Sequence, residues 1–198
     1  MCIPAKEQSL SAKASGGITL DIGCGDVKCG TIGIDTRRTS CVDIVADAYN
    51  LPFRDYTFDR VYMYEVLEHL RSPLDALNEA HRVLDHGGLI LCSTPNVYWI
   101  GRIVRILRNR PIRYQWTYCE HINSWTVVEL ENMLISAKFG LKKVYYVSFK
   151  NSMIDKLFHL FRINKVFPPL TNKSMFFEAE KVTGEVPERK WLKLERRA

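Results

Sequence analysis

The stretch Gly17–Gly25, GITLDIGCG, constrains this chain more than any other. Ile18 to Ile22 gathers apolar and β-branched residues between glycines, the pattern of a short buried strand. It ends in Asp21-Ile22-Gly23-Cys24-Gly25. Glycines at the carboxyl end of a strand let backbone approach a ligand where any Cβ would collide. In open α/β sheets that end is where ligands sit. A lone Asp-x-Gly-x-Gly also describes an ordinary turn, so the reading depends on what the later strands add.

Those strands follow a pattern. Thr31 to Asp35 is a second strand ending in an acid, and Cys41 to Val45 is a third, followed by Asp47. Arg60 to Tyr64 is a fourth, followed by Glu65, and Leu89 to Cys92 is a fifth. Pro73 to Leu84 has helical spacing, with Leu74, Leu77, Ala80 and Leu84 on one face. Pro73 suits its first turn, Ser72 its N-cap, and His86-Gly87-Gly88 its end. Trp125 to Lys138 reads as a helix capped by Ser124 or Thr126 and ended by Gly140. Leu141 to Phe149 and Met175 to Val182 are the last strands. Strands alternating with helices predict a mainly parallel sheet with right-handed crossovers. The two closing strands predict an antiparallel edge hairpin. Only Asp26 to Gly30 and Thr36 to Ser40 separate the first three strands. Parallel crossovers take about a dozen residues or more. The helices between these strands are therefore missing, and tight loops are expected.

The 198 residues, 46% hydrophobic and 25% charged, suit one domain over 1–183 with a basic tail at 184–198. No apolar run approaches the ~20 residues of a membrane span. The first residues lack a signal-peptide core, so a cytoplasmic protein is expected. The six cysteines form no Cys-x-x-Cys pair, and no histidine has zinc-site spacing. Reduced thiols and no metal are expected. The net charge of +6 concentrates at Arg102 to Arg113 and Glu188 to Arg197. This suits a solvated face or tail, and no nucleic-acid partner is expected.

The strand ends carry the chemistry. Gly23 and Gly25 offer open backbone. Asp35 offers a carboxylate, which takes two hydroxyl donors of a ribose diol at once. Asp47 suits an exocyclic amine, while Leu51 and Phe53 suit a ring face. Glu65 faces the same crevice. There is no Gly-x-x-x-x-Gly-Lys-Ser/Thr stretch, and no third glycine completes Gly-x-Gly-x-x-Gly. Acids without a phosphate clamp point to a nucleoside ligand carrying positive charge, such as S-adenosylmethionine.

LDIGCGD, GID, VADAYNLPFRDYTFDRVYMYEVLEHL and EAHRVLDHGGLILCSTPN together resemble the class I S-adenosylmethionine-dependent methyltransferases. The likeness is nearest to the branch with the ubiquinone and menaquinone biosynthesis enzymes, and covers about residues 17–150. It implies an α/β, Rossmann-like, seven-stranded sheet and S-adenosyl-L-methionine as cofactor. By this resemblance Asp21, Gly23, Cys24 and Gly25 hold the methionine part. Asp35 matches the ribose acid, Asp47 and Ala48 the adenine contact, and Glu65 with Val66 lines the pocket beside the sulfonium. With the first crossover helix missing, Lys28 is expected to meet the cofactor carboxylate. His69 and His121 are the candidate catalytic bases.

Two amphipathic stretches, Trp99 to Arg110 and Met153 to Ile163, lie within insertions at about 96–118 and 151–173. They are expected to form a lid over a small-molecule acceptor, and their arginines suit an anionic or lipid-linked acceptor or, alternatively, a membrane surface. The sheet face without helices predicts a cover: the N-terminal segment, the tail, or a second subunit in a homodimer. Two alternatives stand beside a methyltransferase: a non-catalytic cofactor-binding module acting through a partner, and a nicotinamide-dependent oxidoreductase.

Overall fold

The computed structural model describes residues 17–108, 121–147 and 168–184. Seven strands, β1 (Thr19–Ile22), β2 (Ile32–Asp35), β3 (Ile44–Val45), β4 (Phe58–Tyr64), β5 (Leu84–Pro95), β6 (Phe139–Val147) and β7 (Ser174–Lys181), form one sheet in the order β3-β2-β1-β4-β5-β7-β6. Pairing is parallel from β3 across to β5, and β7 runs antiparallel to both β5 and β6. The helices are α1 (Pro73–Val83), α2 (Ile100–Leu107), α3 (Val127–Ser136) and the short α4 (Pro168–Thr171), and a 3-10 turn spans Leu67–His69. The α/β class and the antiparallel closing pair agree with the sequence reading. The expected tail, the N-terminal cover, the Met153–Ile163 stretch, most of the 151–173 insertion and the end of the 96–118 insertion lie outside the described residues.

Alternation along the strands builds the core. Leu20, Ile22, Ile34, Val61, Met63, Ile90 and Phe177 turn to one face and meet Ala76, Leu77, Ala80 and Val83 of α1 and Leu130 and Leu134 of α3. Each large apolar side chain fully buried there contributes roughly 1.5–3 kcal/mol. Leu74, expected on the buried face of α1, is instead 37% exposed.

The first two crossovers contain no helix, as the spacing predicts, and the loops themselves take over the packing. Asp21 and Gly33 pair in register and alternate with the core residues, so they look to the other face. A Cβ on Gly33 would stand 2.7 Å from Lys28 Cδ, 2.9 Å from Cys24 Sγ and 3.0 Å from the Cys41 carbonyl. Both loops therefore lie directly on β2. Cys29 N–H donates to Asp21 Oδ2 at 2.6 Å, and Lys28 Nζ and Gly33 N–H both donate to Asp43 Oδ2 at 2.7 Å. At the edge, Ile44 and Val45 of β3 remain 38% and 49% exposed. Farther along this face Phe176 and Val147 form a small second cluster, with Tyr64 and Tyr145 packed on it.

Three local expectations are corrected. His86-Gly87-Gly88 does not stop α1: the helix ends at Val83, and Leu84 pairs directly with Phe58. Those residues form an irregularity inside β5, where the register jumps between Phe58 and Arg60 and Gly87 takes φ +69°. Ser72 stands at the N-cap, but its hydroxyl binds the Asp75 carboxylate rather than backbone. α3 starts in a capping box between Thr126 and Glu129, and Lys138, at φ +60°, turns the chain after it. Gly140 lies inside β6.

Candidate active site

The carboxyl ends of β3, β2, β1 and β4 stand side by side. The chain leaves β1 in one direction to β2 and reaches β4 on the other side, which makes their junction the crevice of an open α/β sheet. The glycine turn is built for this place. Gly23 N–H and Cys24 N–H both donate to the Ile34 carbonyl, at 2.8 and 3.0 Å. Gly23 has φ +72° and Gly25 φ +55°, both in the left-handed region that glycine adopts without strain. A Cβ on Gly23 would lie 2.5 Å from Val66 Cγ2. The turn after β1 thus presses on the turn after β4, and the structure brings Gly23 and Val66 together.

Asp35 Oδ2 accepts Gly25 N–H at 3.0 Å, and Oδ1 accepts Arg37 N–H at 2.9 Å. Its side chain is 10% exposed. Arg37 Nε also faces Oδ1 at 3.5 Å, so Asp35 is fixed in place, and Oδ2 keeps a second lone pair as acceptor capacity. Asp47 Oδ1 accepts Tyr49 N–H at 3.1 Å, and Ala48 and Leu51 are buried beside it. Burial pushes the Asp21 carboxyl up to about 6, against the lowering effect of the Cys29 and Gly30 N–H groups. Asp21 therefore anchors the β1–β2 loop as well as lying beneath the glycine turn. Burial likewise raises the Cys24 thiol to about 11. Lys28 is turned to Asp43 and the Thr31 carbonyl, so its ammonium serves the loops on β2.

On the β4 side, Glu65 holds φ +55°, a strained choice for a residue with a Cβ. Strand β5 holds it there: Glu65 N–H donates to the Ser93 carbonyl at 3.0 Å, and Ser93 Oγ donates to Glu65 Oε1 at 2.9 Å. Burial raises the Glu65 carboxyl, opposed by Ser93, Glu68 and Ser174 beside it. His69 and His121 meet edge to face with ring centroids 4.5 Å apart. Burial, His69 and Arg102 lower His121 to about 4, which leaves its imidazole neutral at pH 7. The His121 segment is tied down by Ile122 and Asn123 N–H groups, both donating to the Glu68 carbonyl.

Sequence reasoning did not find Glu68, Ser93, Arg82 or Asn96. Arg82 donates to both Glu79 oxygens, to Asp55 and to the Phe53 and Leu51 carbonyls. It clamps the 51–55 loop, and with it the Ala48–Leu51 wall, onto α1. Buried Asn96 donates to the Pro169 and Asn172 carbonyls at 2.5 and 2.7 Å, joining the described ends of the two insertions. These residues stood inside motifs or loops read for other features, and no local spacing marks a clamp.

A methyltransferase-domain family profile matches residues 26–92. The probable tRNA methyltransferase 9B of Mus musculus is 31% identical over 106 residues, 44% of this chain and 24% of that protein. A probable S-adenosylmethionine-dependent methyltransferase of Mycolicibacterium smegmatis is 31% identical over 108 residues, 45% of this chain and 42% of that protein. The demethylmenaquinone methyltransferase of Staphylococcus epidermidis is 48% identical over 46 residues, 23% of this chain and 19% of that protein. The chain thus spans less than half the length of these curated relatives. A SAM-dependent methyltransferase structure from Archaeoglobus fulgidus superposes with a TM-score of 0.60 at 16% identity, covering 89% of this chain and 92% of that one. Over residues 26–92 this chain is similar to methyltransferase domains, and it shares the fold of a solved S-adenosylmethionine-dependent methyltransferase.

That similarity implies S-adenosyl-L-methionine as cofactor, and the residues present fit it. The two glycines free the backbone at the end of β1, Asp35 is an oriented acceptor for a diol, and Ala48 with Leu51 gives an apolar wall. Asp21, Asp35, Asp47 and Glu65 supply the acidic surroundings that a sulfonium and an ammonium require.

Proposed function

We propose that this protein transfers a methyl group from S-adenosylmethionine to an oxygen of a small or lipid-linked acceptor. The observation that carries the reading is the apposition of the glycine turn, Asp35 and Glu65 at one crevice, with Val66 Cγ2 against the space above Gly23. The cofactor supplies an already activated methyl group, so the chain's work is to position and desolvate the reactants. Gly23 and Gly25 give room for the methionine part, Asp35 fixes the ribose, and Asp47 with Ala48 receives the adenine. Glu65, held by Ser93, sets the end of the crevice where the acceptor arrives. Glu68, His69 and His121 lie there and manage the proton that a hydroxyl acceptor must lose.

The acceptor class is supported by α2. Arg102, on that helix, is near enough to His121 for its charge to lower that imidazole's pKa. On the same helix Ile103, Val104 and Leu107 are 43%, 37% and 80% exposed. A cation beside exposed apolar side chains suits an anionic head on an apolar body, or a membrane surface. The test is incubation of cell extract with methyl-labelled S-adenosylmethionine and the protein, followed by mass analysis of the products. Label in an organic-soluble small molecule is expected. Label in RNA would replace this acceptor, and no label in any fraction would favour a non-catalytic cofactor-binding module.

A further inference from the structure

Folding assembles a donor set that the sequence spacing concealed. Glu68 and His69 lie on the 3-10 turn after β4, whereas His121 comes from the segment before α3. One ligand atom from each lies within 4.8 Å of the others. We propose that Glu68, His69 and His121 bind a divalent first-row transition cation of the zinc type at the acceptor end of the crevice.

Four features carry this. The two imidazole rings lie side by side, with centroids 4.5 Å apart, and each has a nitrogen within 4.8 Å of the other's and of a Glu68 oxygen. The two histidine-bearing segments are held together through backbone: Ile122 and Asn123 N–H donate to the Glu68 carbonyl at 3.0 and 3.1 Å, and Asn123 Nδ2 donates to the Leu70 carbonyl at 2.5 Å. Bonds of about 2.0–2.2 Å to one ion require the three donor atoms to draw closer than they stand here. Glu68 is fully buried, and a buried carboxylate is stabilised by a positive charge at its oxygens. The Glu65 carboxyl lies within hydrogen-bonding reach of Glu68, a second carboxyl beside the donor set.

The donor types choose the metal. Two imidazoles and a carboxylate suit zinc, manganese, iron or cobalt, whereas magnesium and calcium prefer all-oxygen sites. Three protein ligands leave a coordination position open, the arrangement of catalytic rather than structural sites. An acceptor hydroxyl taking that position loses its proton to solvent more readily. Its oxygen then takes the methyl group as the carbon–sulfur bond breaks, with both electrons of that bond staying on sulfur. The site deepens the methyltransferase reading and rests on it only for this last step.

The test uses the full chain stripped of metal and titrated with Zn2+ by calorimetry and with Co2+ by absorption. One equivalent should bind, and the cobalt spectrum should show ligand-field bands without the thiolate charge-transfer band that the cysteines would give. His69→Asn and His121→Asn should each weaken binding by at least about tenfold. Both positions are partly exposed, so they keep the test open if buried Glu68→Gln fails to fold. Titration of each variant with S-adenosylhomocysteine checks the fold and separates the two readings. Metal binding without S-adenosylhomocysteine binding would sink the methyltransferase reading alone. No saturable metal binding, a thiolate spectrum, or unchanged affinity in both histidine variants would overturn the metal site.

Discussion

Gly23→Ala tests whether the turn after β1 presses on the turn after β4. Two costs are separable. The backbone at φ +72° disfavours any residue with a Cβ, by ~1–2 kcal/mol. The new methyl would sit 2.5 Å from Val66 Cγ2, and valine, stiff at χ1, cannot simply swing away. Overpacking of that kind costs ~1–3 kcal/mol. Together they should remove about 2–5 kcal/mol from a total stability of roughly 5–15 kcal/mol. The variant should fold, with its Tm lowered by roughly 2–4 °C per kcal/mol. Val66→Ala in the same chain should recover the steric part and leave the backbone part, so a double-mutant cycle in urea should show coupling of about 1–3 kcal/mol. Affinity for S-adenosylhomocysteine should fall in Gly23→Ala. Unchanged stability and affinity in Gly23→Ala, or a cycle with no coupling to Val66, would refute the apposition.

Asp35→Ala should weaken S-adenosylhomocysteine by about 10–100-fold, since a charge-assisted hydrogen bond contributes ~1.5–3 kcal/mol; an unchanged Kd would reject Asp35 as the ribose acceptor. Arg82→Ala removes the clamp on the 51–55 loop and should cost about 2–3 kcal/mol in urea unfolding, with faster amide exchange at residues 47–55 as its local signature. Asp21 should mark the pH dependence of stability. Its folded carboxyl is raised from 3.8 to about 6, so the proton-bound form favours folding. That contribution is present below pH 3.8 and is lost as pH rises through about 6. Asp21→Asn should flatten the stability profile across this window, and an identical slope in both proteins would show that another group titrates there.

The parallel sheet was legible because the first four strands are apolar runs that end in, or run on to, glycine or an acid. The absence of the first two crossover helices was legible from chain length alone. How the loops replace them was not: it depends on Asp21 and Asp43 accepting backbone N–H groups from residues distant in sequence. Lys28 reads as a loose cation in a glycine-rich loop, and only the fold shows Asp43 within 2.7 Å of it. The His86-Gly87-Gly88 signal failed for a related reason. Local turn chemistry was present, but pairing with β4 continued through it as an irregularity in β5. At the site, Asp35 and Glu65 were legible as strand-end acids. Glu68 was not, because a buried carboxylate on a one-turn helix has no pattern until His121 arrives from the far side of the chain.

The most direct test of the account is calorimetric titration of the full chain with S-adenosylhomocysteine and, separately, with NAD. The crevice described here predicts saturable binding of S-adenosylhomocysteine with one site per chain, weakened by Asp35→Ala, and no saturable binding of NAD. Binding of NAD in its place, or S-adenosylhomocysteine binding that Asp35→Ala leaves intact, would contradict it.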